Sequence, residues 1–103
     1  MEALTVRLSR LDGTVTMTVR GDLDMATVAL LRRRADHLLL RRDGDRPRIV
    51  IELSGLTFID ATGLGALIAL RGRTARGRPA LTVAGRPPCL TRLLNALGMA
   101  DDW

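Results

Sequence analysis

The chain has 103 residues, a formal net charge of +5 at neutral pH, 47% hydrophobic residues and 2% aromatic ones. That length suits one domain, residues 1–103, with a single aliphatic core, and the hydrophobic share argues against disorder. With one cysteine, no apolar run near the ~20 residues of a membrane span and no signal-peptide pattern at the N-terminus, the expectation is a soluble cytoplasmic protein without an internal disulfide.

Leu4, Val6 and Leu8 alternate with Thr5, Arg7 and Ser9, the period of a half-buried strand. Val15, Met17 and Val19 repeat the pattern, and the Asp12-Gly13 pair between the two runs predicts an antiparallel hairpin. Gly21-Asp22-Leu23-Asp24 breaks the alternation. From about Thr27 to Leu40 the period becomes helical, with Val28, Leu31, Ala35, Leu38 and Leu39 on one stripe and either Asp24 or Thr27 available as the cap. After a polar turn over residues 41–47, Ile49-Val50-Ile51-Glu52-Leu53 reads as a buried central strand.

Residues 54–59 lead into a second helix carrying Leu64, Leu67, Ile68 and Leu70, which ends around Gly72 to Gly77. Ala80 to Ala84 is a short strand. Gly85-Arg86-Pro87-Pro88 opens a third helix with Leu90, Leu93, Leu94 and Leu97 facing inward and Gly98 as its C-terminal cap. The order β-β-α-β-α-β-α predicts a small mixed α/β sheet: an N-terminal antiparallel hairpin, then parallel strands, with helices packed mainly on one face.

The stretch most capable of chemistry is Asp60-Ala61-Thr62-Gly63-Leu64-Gly65, where a buried strand hands over to a helix. The first N–H groups of a helix are unpaired and its dipole favours negative charge there. A hydroxyl at Thr62 can therefore cap the helix or carry a phosphate. Gly63 is expected to let another molecule approach that hydroxyl, and Gly65 to let the helix lie close to the sheet. The Asp60 carboxylate can cap the helix or bind a partner's cation. An ordinary capped turn has this pattern too, so spacing alone does not choose.

Gly21-Asp22-Leu23-Asp24, followed by Ile51-Glu52-Leu53-Ser54-Gly55-Leu56-Thr57-Phe58-Ile59 and Asp60 to Gly65, resembles the STAS family. The likeness covers nearly the whole chain and is nearest to bacterial anti-sigma factor antagonists. It implies that Thr62, just before the first glycine, is the phosphoacceptor, that Asp24 contacts a kinase, and that Asp60, Ala61, Gly63, Leu64 and Gly65 lie in the partner-binding surface. The implied partners are an anti-sigma factor that is a GHKL-type serine/threonine kinase and a PP2C-type phosphatase. The unphosphorylated antagonist sequesters the kinase and frees a sigma factor; phosphorylation reverses this. Ala61 stands where the family often has a second hydroxyl, Asp22 where Glu is usual, and the sequence ends at Asp101-Asp102-Trp103, where relatives add a further strand or helix.

Other readings are weaker. A threonine nucleophile needs a base, and the one histidine, His37, falls on the first helix, so no enzyme and no cofactor are expected. Cys89 lies among apolar residues and reads as a small core side chain. All 16 basic residues are Arg, the clusters 32–34 and 41–42 read as solvated surface, and with so few stacking aromatics a nucleic-acid partner is not expected. A STAS subunit regulating a lipid-transport ABC ATPase, in which the same Thr serves as a protein contact, is the second functional reading.

Overall fold

The computed structural model describes residues 3–39, 48–73 and 81–103. Leu40, residues 41–47 where a polar turn is expected, residues 74–77 where the second helix is expected to end, and Ala80 lie outside the described residues. The elements are β1 (Thr5–Leu11), β2 (Thr14–Leu23), α1 (Val28–Leu39), β3 (Arg48–Ile59), α2 (Ala61–Arg73), β4 (Leu81–Ala84) and α3 (Pro88–Ala96), followed by a 3-10 turn, Ala100–Asp102. The sheet has the order β1-β2-β3-β4. β1 pairs antiparallel with β2, while β2–β3 and β3–β4 are parallel. This is the predicted mixed sheet.

The hairpin turn is the one its sequence asks for. Asp12 and Gly13 have φ of 50° and 79°, two successive left-handed residues whose twist matches that of the flanking strands. Val15, Met17 and Val19 of β2 and Ile49, Ile51 and Leu53 of β3 point to one face and are at most 2% exposed. Leu31, Ala35 and Leu38 of α1, Leu64, Leu67 and Leu70 of α2, and Leu90 and Leu94 of α3 join them in one buried aliphatic cluster. Burying each such Leu or Ile contributes roughly 1.5–3 kcal/mol. Arg32, Arg33, Arg34 and His37 are exposed on the outer side of α1, as the stripe required.

Both central strands run further than their patterns indicate. β2 does not stop at Gly21 but continues through Leu23, paired with Ile59 of β3. Register shifts beside Arg20 and Gly21, with Gly21 at φ 94°, rotate the strand so that Gly21, Asp22 and Leu23 are all buried. A bulge of this kind destroys alternation without ending the ladder. β3 likewise extends past Leu53 to Ile59, and Gly55 leaves room for the stem of Arg20, which would come within 2.5 Å of a Cβ there.

Leu97, expected on the inner face of the third helix, is at the surface instead, as is Ile68 of α2. Ile68 is 40% and Leu97 50% exposed, because each lies at the margin of its stripe. α3 ends as expected: Gly98 adopts φ 68°, its N–H donates to Asn95 O (3.2 Å), and Met99 N–H donates to Leu94 O (2.8 Å), the double bond of a Schellman cap. Beyond it, Met99 and Trp103 pack against the core. The Arg71 guanidinium stands 4.9 Å from the Trp103 ring centroid, a cation–π contact that ties the tail to α2.

Candidate functional site

Because β2 and β3 are parallel neighbours paired from Thr14↔Arg48 to Leu23↔Ile59, their C-terminal ends are level. The two loops that follow, beginning at Asp24 and Asp60, therefore lie side by side. Asp60 N–H donates to Leu23 O across the gap (3.2 Å). The two sequence motifs thus meet at one end of the sheet, the end where open parallel sheets commonly carry their binding sites.

The β2–α1 loop is closed by Asp24 and Thr27 together. Asp24 Oδ1 accepts from the N–H groups of Ala26 (2.9 Å) and Thr27 (3.1 Å). Thr27 Oγ1 accepts from Asp24 N–H (3.0 Å) and donates to Asp22 O (2.8 Å). The reciprocal pattern resembles a capping box, with donors at the helix start satisfied from both directions. One oxygen of Asp24, expected at a kinase interface, is thus already engaged in shaping its own loop.

At the start of α2 the cap is Asp60. Its Oδ1 accepts from Gly63 N–H (2.8 Å) and its Oδ2 accepts from Met25 N–H (3.1 Å). One carboxylate therefore caps α2 and pins the β2–α1 loop 35 residues away. Thr62 is not the cap; it sits in the first helical turn, half-buried, beside the Ala61 and Thr62 N–H groups that no helix carbonyl can reach.

The roles expected of the two glycines are exchanged. A Cβ on Gly63 would stand 2.6 Å from Leu23 O and 2.8 Å from Leu23 Cγ, so it is Gly63 that seats α2 against the end of β2. Gly65 is exposed and a Cβ there would meet nothing within 4 Å. The reason is rotational: residues two apart on a helix point about 200° apart, so both cannot face the sheet. Leu64 is 2% exposed and belongs to the core. Of this stretch, Ala61, Thr62 and Gly65 reach the surface, whereas Gly63 and Leu64 are buried.

Sequence reasoning missed three features here. Met25, 77% exposed, and Phe58, 49% exposed, flank Asp60 and make the rim of the site apolar; Phe58 lies in the motif but its exposure was not foreseen, and Met25 gave no signal. Asp22 is 7% exposed and accepts a hydrogen bond from Thr57 Oγ1 (2.8 Å), linking β2 to β3 beneath the site. Its carboxylate is an internal strut. Cys89 donates weakly to Leu56 O (3.6 Å), and burial pushes its thiol pKa up despite nearby backbone N–H groups and Arg92, which act in the opposite direction. A thiol so placed is a poor nucleophile. Among the described residues no three of His, Cys, Asp and Glu converge as a metal would require, and no helix is long and apolar enough to cross a membrane.

Fold and site together define a small mixed α/β domain in which two loops at the ends of parallel strands meet beside a helix start that carries Thr62. The chain belongs to the STAS domain family: residues 6–101 match the family model described as "Mlab, STAS domain". Among solved structures it is similar to an anti-sigma factor antagonist from Mycobacterium paratuberculosis, at 24% identity and TM-score 0.77, covering 98% of this chain and 83% of that one. It is also similar to the anti-sigma factor antagonist SpoIIAA in its unphosphorylated form, at 19% identity and TM-score 0.59, covering 88% and 82%. An uncharacterised Shewanella loihica protein of the DUF3478 family, with a SpoIIAA-like fold, aligns at 9% identity and TM-score 0.58, covering 95% and 79%. At such identities the likeness is one of fold. Comparison with curated protein sequences finds no match.

Proposed function

We propose that this STAS domain is an anti-sigma factor antagonist, a cytoplasmic protein-binding switch whose phosphoacceptor is Thr62. In its unphosphorylated form it sequesters a GHKL-type anti-sigma factor kinase and frees a sigma factor. Transfer of the ATP γ-phosphoryl group to Thr62 Oγ1, with loss of the hydroxyl proton, ends the complex, and a PP2C-type phosphatase restores it. The observation that carries this reading is the division of labour at α2: Asp60 supplies the cap, so the Thr62 hydroxyl can be modified without uncapping the helix.

A phosphate on Thr62 adds about −1.5 to −2 charges at neutral pH. The helix dipole and free N–H groups of α2 offset part of this within the domain. A partner surface already facing Asp24 and Asp60 has no such compensation, so the charge acts on the interface and leaves the fold in place. Incubation with candidate kinases and Mg-ATP, followed by intact mass and peptide mapping, is expected to show one phosphoryl group on Thr62 and none in Thr62→Ala. Thr62→Glu is expected to weaken kinase binding with a nearly unchanged thermal midpoint. Phosphorylation mapped to another residue, or undiminished in Thr62→Ala, would refute the assignment.

One observation favours the second reading, a STAS subunit regulating a lipid-transport ABC ATPase. Asp60 is fixed two residues from Thr62 by two hydrogen bonds, and a fixed carboxylate opposes a phosphate dianion beside it. The exposed Met25 and Phe58 beside Asp60 also suit constant protein contact. Co-purification with a transporter ATPase, undisturbed by Thr62→Ser, distinguishes this reading from the antagonist.

A further inference from the structure

Next to the acceptor site, the end of β3 and the first turns of α3 enclose a shallow groove of about 320 Å³, lined by Thr57, Phe58, Ile59, Cys89, Arg92 and Leu93. Its apolar wall is Phe58, the chain's single phenylalanine, 49% exposed, with half-buried Leu93 opposite. Its charged member is Arg92, which is exposed and acts electrostatically on the Cys89 thiol beside it. The polar groups beside it are committed elsewhere: Thr57 Oγ1 donates to Asp22, and the Cys89 thiol faces Leu56 O.

We infer that this groove docks an apolar side chain flanked by carboxylates, carried on an acidic segment of the anti-sigma partner, as a second anchor beside Thr62; this rests on the function proposed above. An exposed aromatic next to an exposed guanidinium is the composition in which interface energy concentrates. The net charge of +5 selects for an acidic partner and speeds its approach. Phe58 lies two residues before Asp60, so one partner surface can cover groove and acceptor together. Thr62 is not among the groove's lining residues, so a phosphate there removes one of two anchors and leaves the apolar contact in place.

The test uses the intact chain in two arms. In the first, calorimetric binding of the partner kinase is measured for wild type, Phe58→Ala and Arg92→Glu. Each variant is expected to weaken binding by roughly tenfold or more, and Arg92→Glu also to flatten the salt dependence. In the second, the labelled chain is titrated with a peptide of alternating Leu and Glu and with its Leu–Lys counterpart. The acidic peptide is expected to shift the amides of Phe58, Cys89 and Leu93, and the basic one to leave them unmoved. Unchanged kinase affinity in both variants overturns the groove while the antagonist reading stands. A wild type that binds no kinase overturns the antagonist reading, and the peptide arm then decides the groove alone. Equal shifts with both peptides, or none with either, overturn its acidic selectivity. A concentration-dependent dimer lost in Phe58→Ala overturns the partner assignment in favour of a second copy of the chain. Arg92 is exposed, so its variant keeps the test decisive if Phe58→Ala folds poorly.

Discussion

Gly63→Ala destabilises the domain by about 2 kcal/mol, while Gly65→Ala, one position beyond Leu64, stabilises it by up to about 1 kcal/mol. At Gly63 the added methyl meets Leu23 O at 2.6 Å. That carbonyl cannot swing aside freely, because it accepts the Asp60 N–H that holds the two loops level. Accommodation must come from lifting α2 off the sheet, which loosens Leu64 and Leu67. At Gly65 the methyl enters open space, and alanine gains helix propensity while restricting the unfolded chain. For a domain of this size 1 kcal/mol corresponds to roughly 4–8 °C in thermal midpoint, so the two variants should move apart from wild type in opposite directions. A Gly63→Ala protein as stable as wild type would mean that α2 is not seated on β2 as described.

Asp60→Ala is expected to cost about 2 kcal/mol, because it strips the acceptor from two donors at once. The N–H groups of Gly63 and Met25, bonded at 2.8 and 3.1 Å, both lose their partner. Urea unfolding measures the loss, and amide exchange at Met25 and Gly63 should accelerate while exchange at Met17 follows only the global change. Asp60→Asn keeps a carbonyl acceptor for one donor and should fall between. Thr62→Ala makes no such demand and should stay within about 0.5 kcal/mol of wild type. If Asp60→Ala unfolds at the wild-type urea concentration with unaltered exchange at Met25, the carboxylate does not join the loops. The comparison also separates two meanings of a lost interaction at Asp60: a variant that fails to bind because its loop has moved, and one that fails because a charge is gone.

What could be read from the sequence follows the range of the forces involved. The hairpin was legible because Asp12 and Gly13 set its turn between themselves, and α1 because its stripe repeats locally. The ends of β2 and β3 were not, since Gly21 breaks the alternation at a bulge while β3 still supplies the ladder. The site divides along the same line. That Asp60 could cap a helix was visible from its place before Ala61, but the Met25 N–H on its other oxygen comes from a distant loop and leaves no local mark. The exchange of roles between Gly63 and Gly65 depends on which side of α2 rests against Leu23, a tertiary fact. The groove at Phe58 depends on where α3 lands on β3, which nothing in either segment announces.

The contact between Arg71 and Trp103 gives α2 a reporter at the end opposite its acceptor. The helix begins beside Thr62 and carries Arg71 in its last turn, under the chain's one indole. Nine residue steps of helix, about 14 Å, separate Thr62 from Arg71. Tryptophan emission is thus largely screened from a charge placed at the first turn and responds more to any tilt or slide of the whole rod. A spectrum that holds still while the kinase comes and goes describes a switch written on the surface of a rigid body. One that shifts describes a lever.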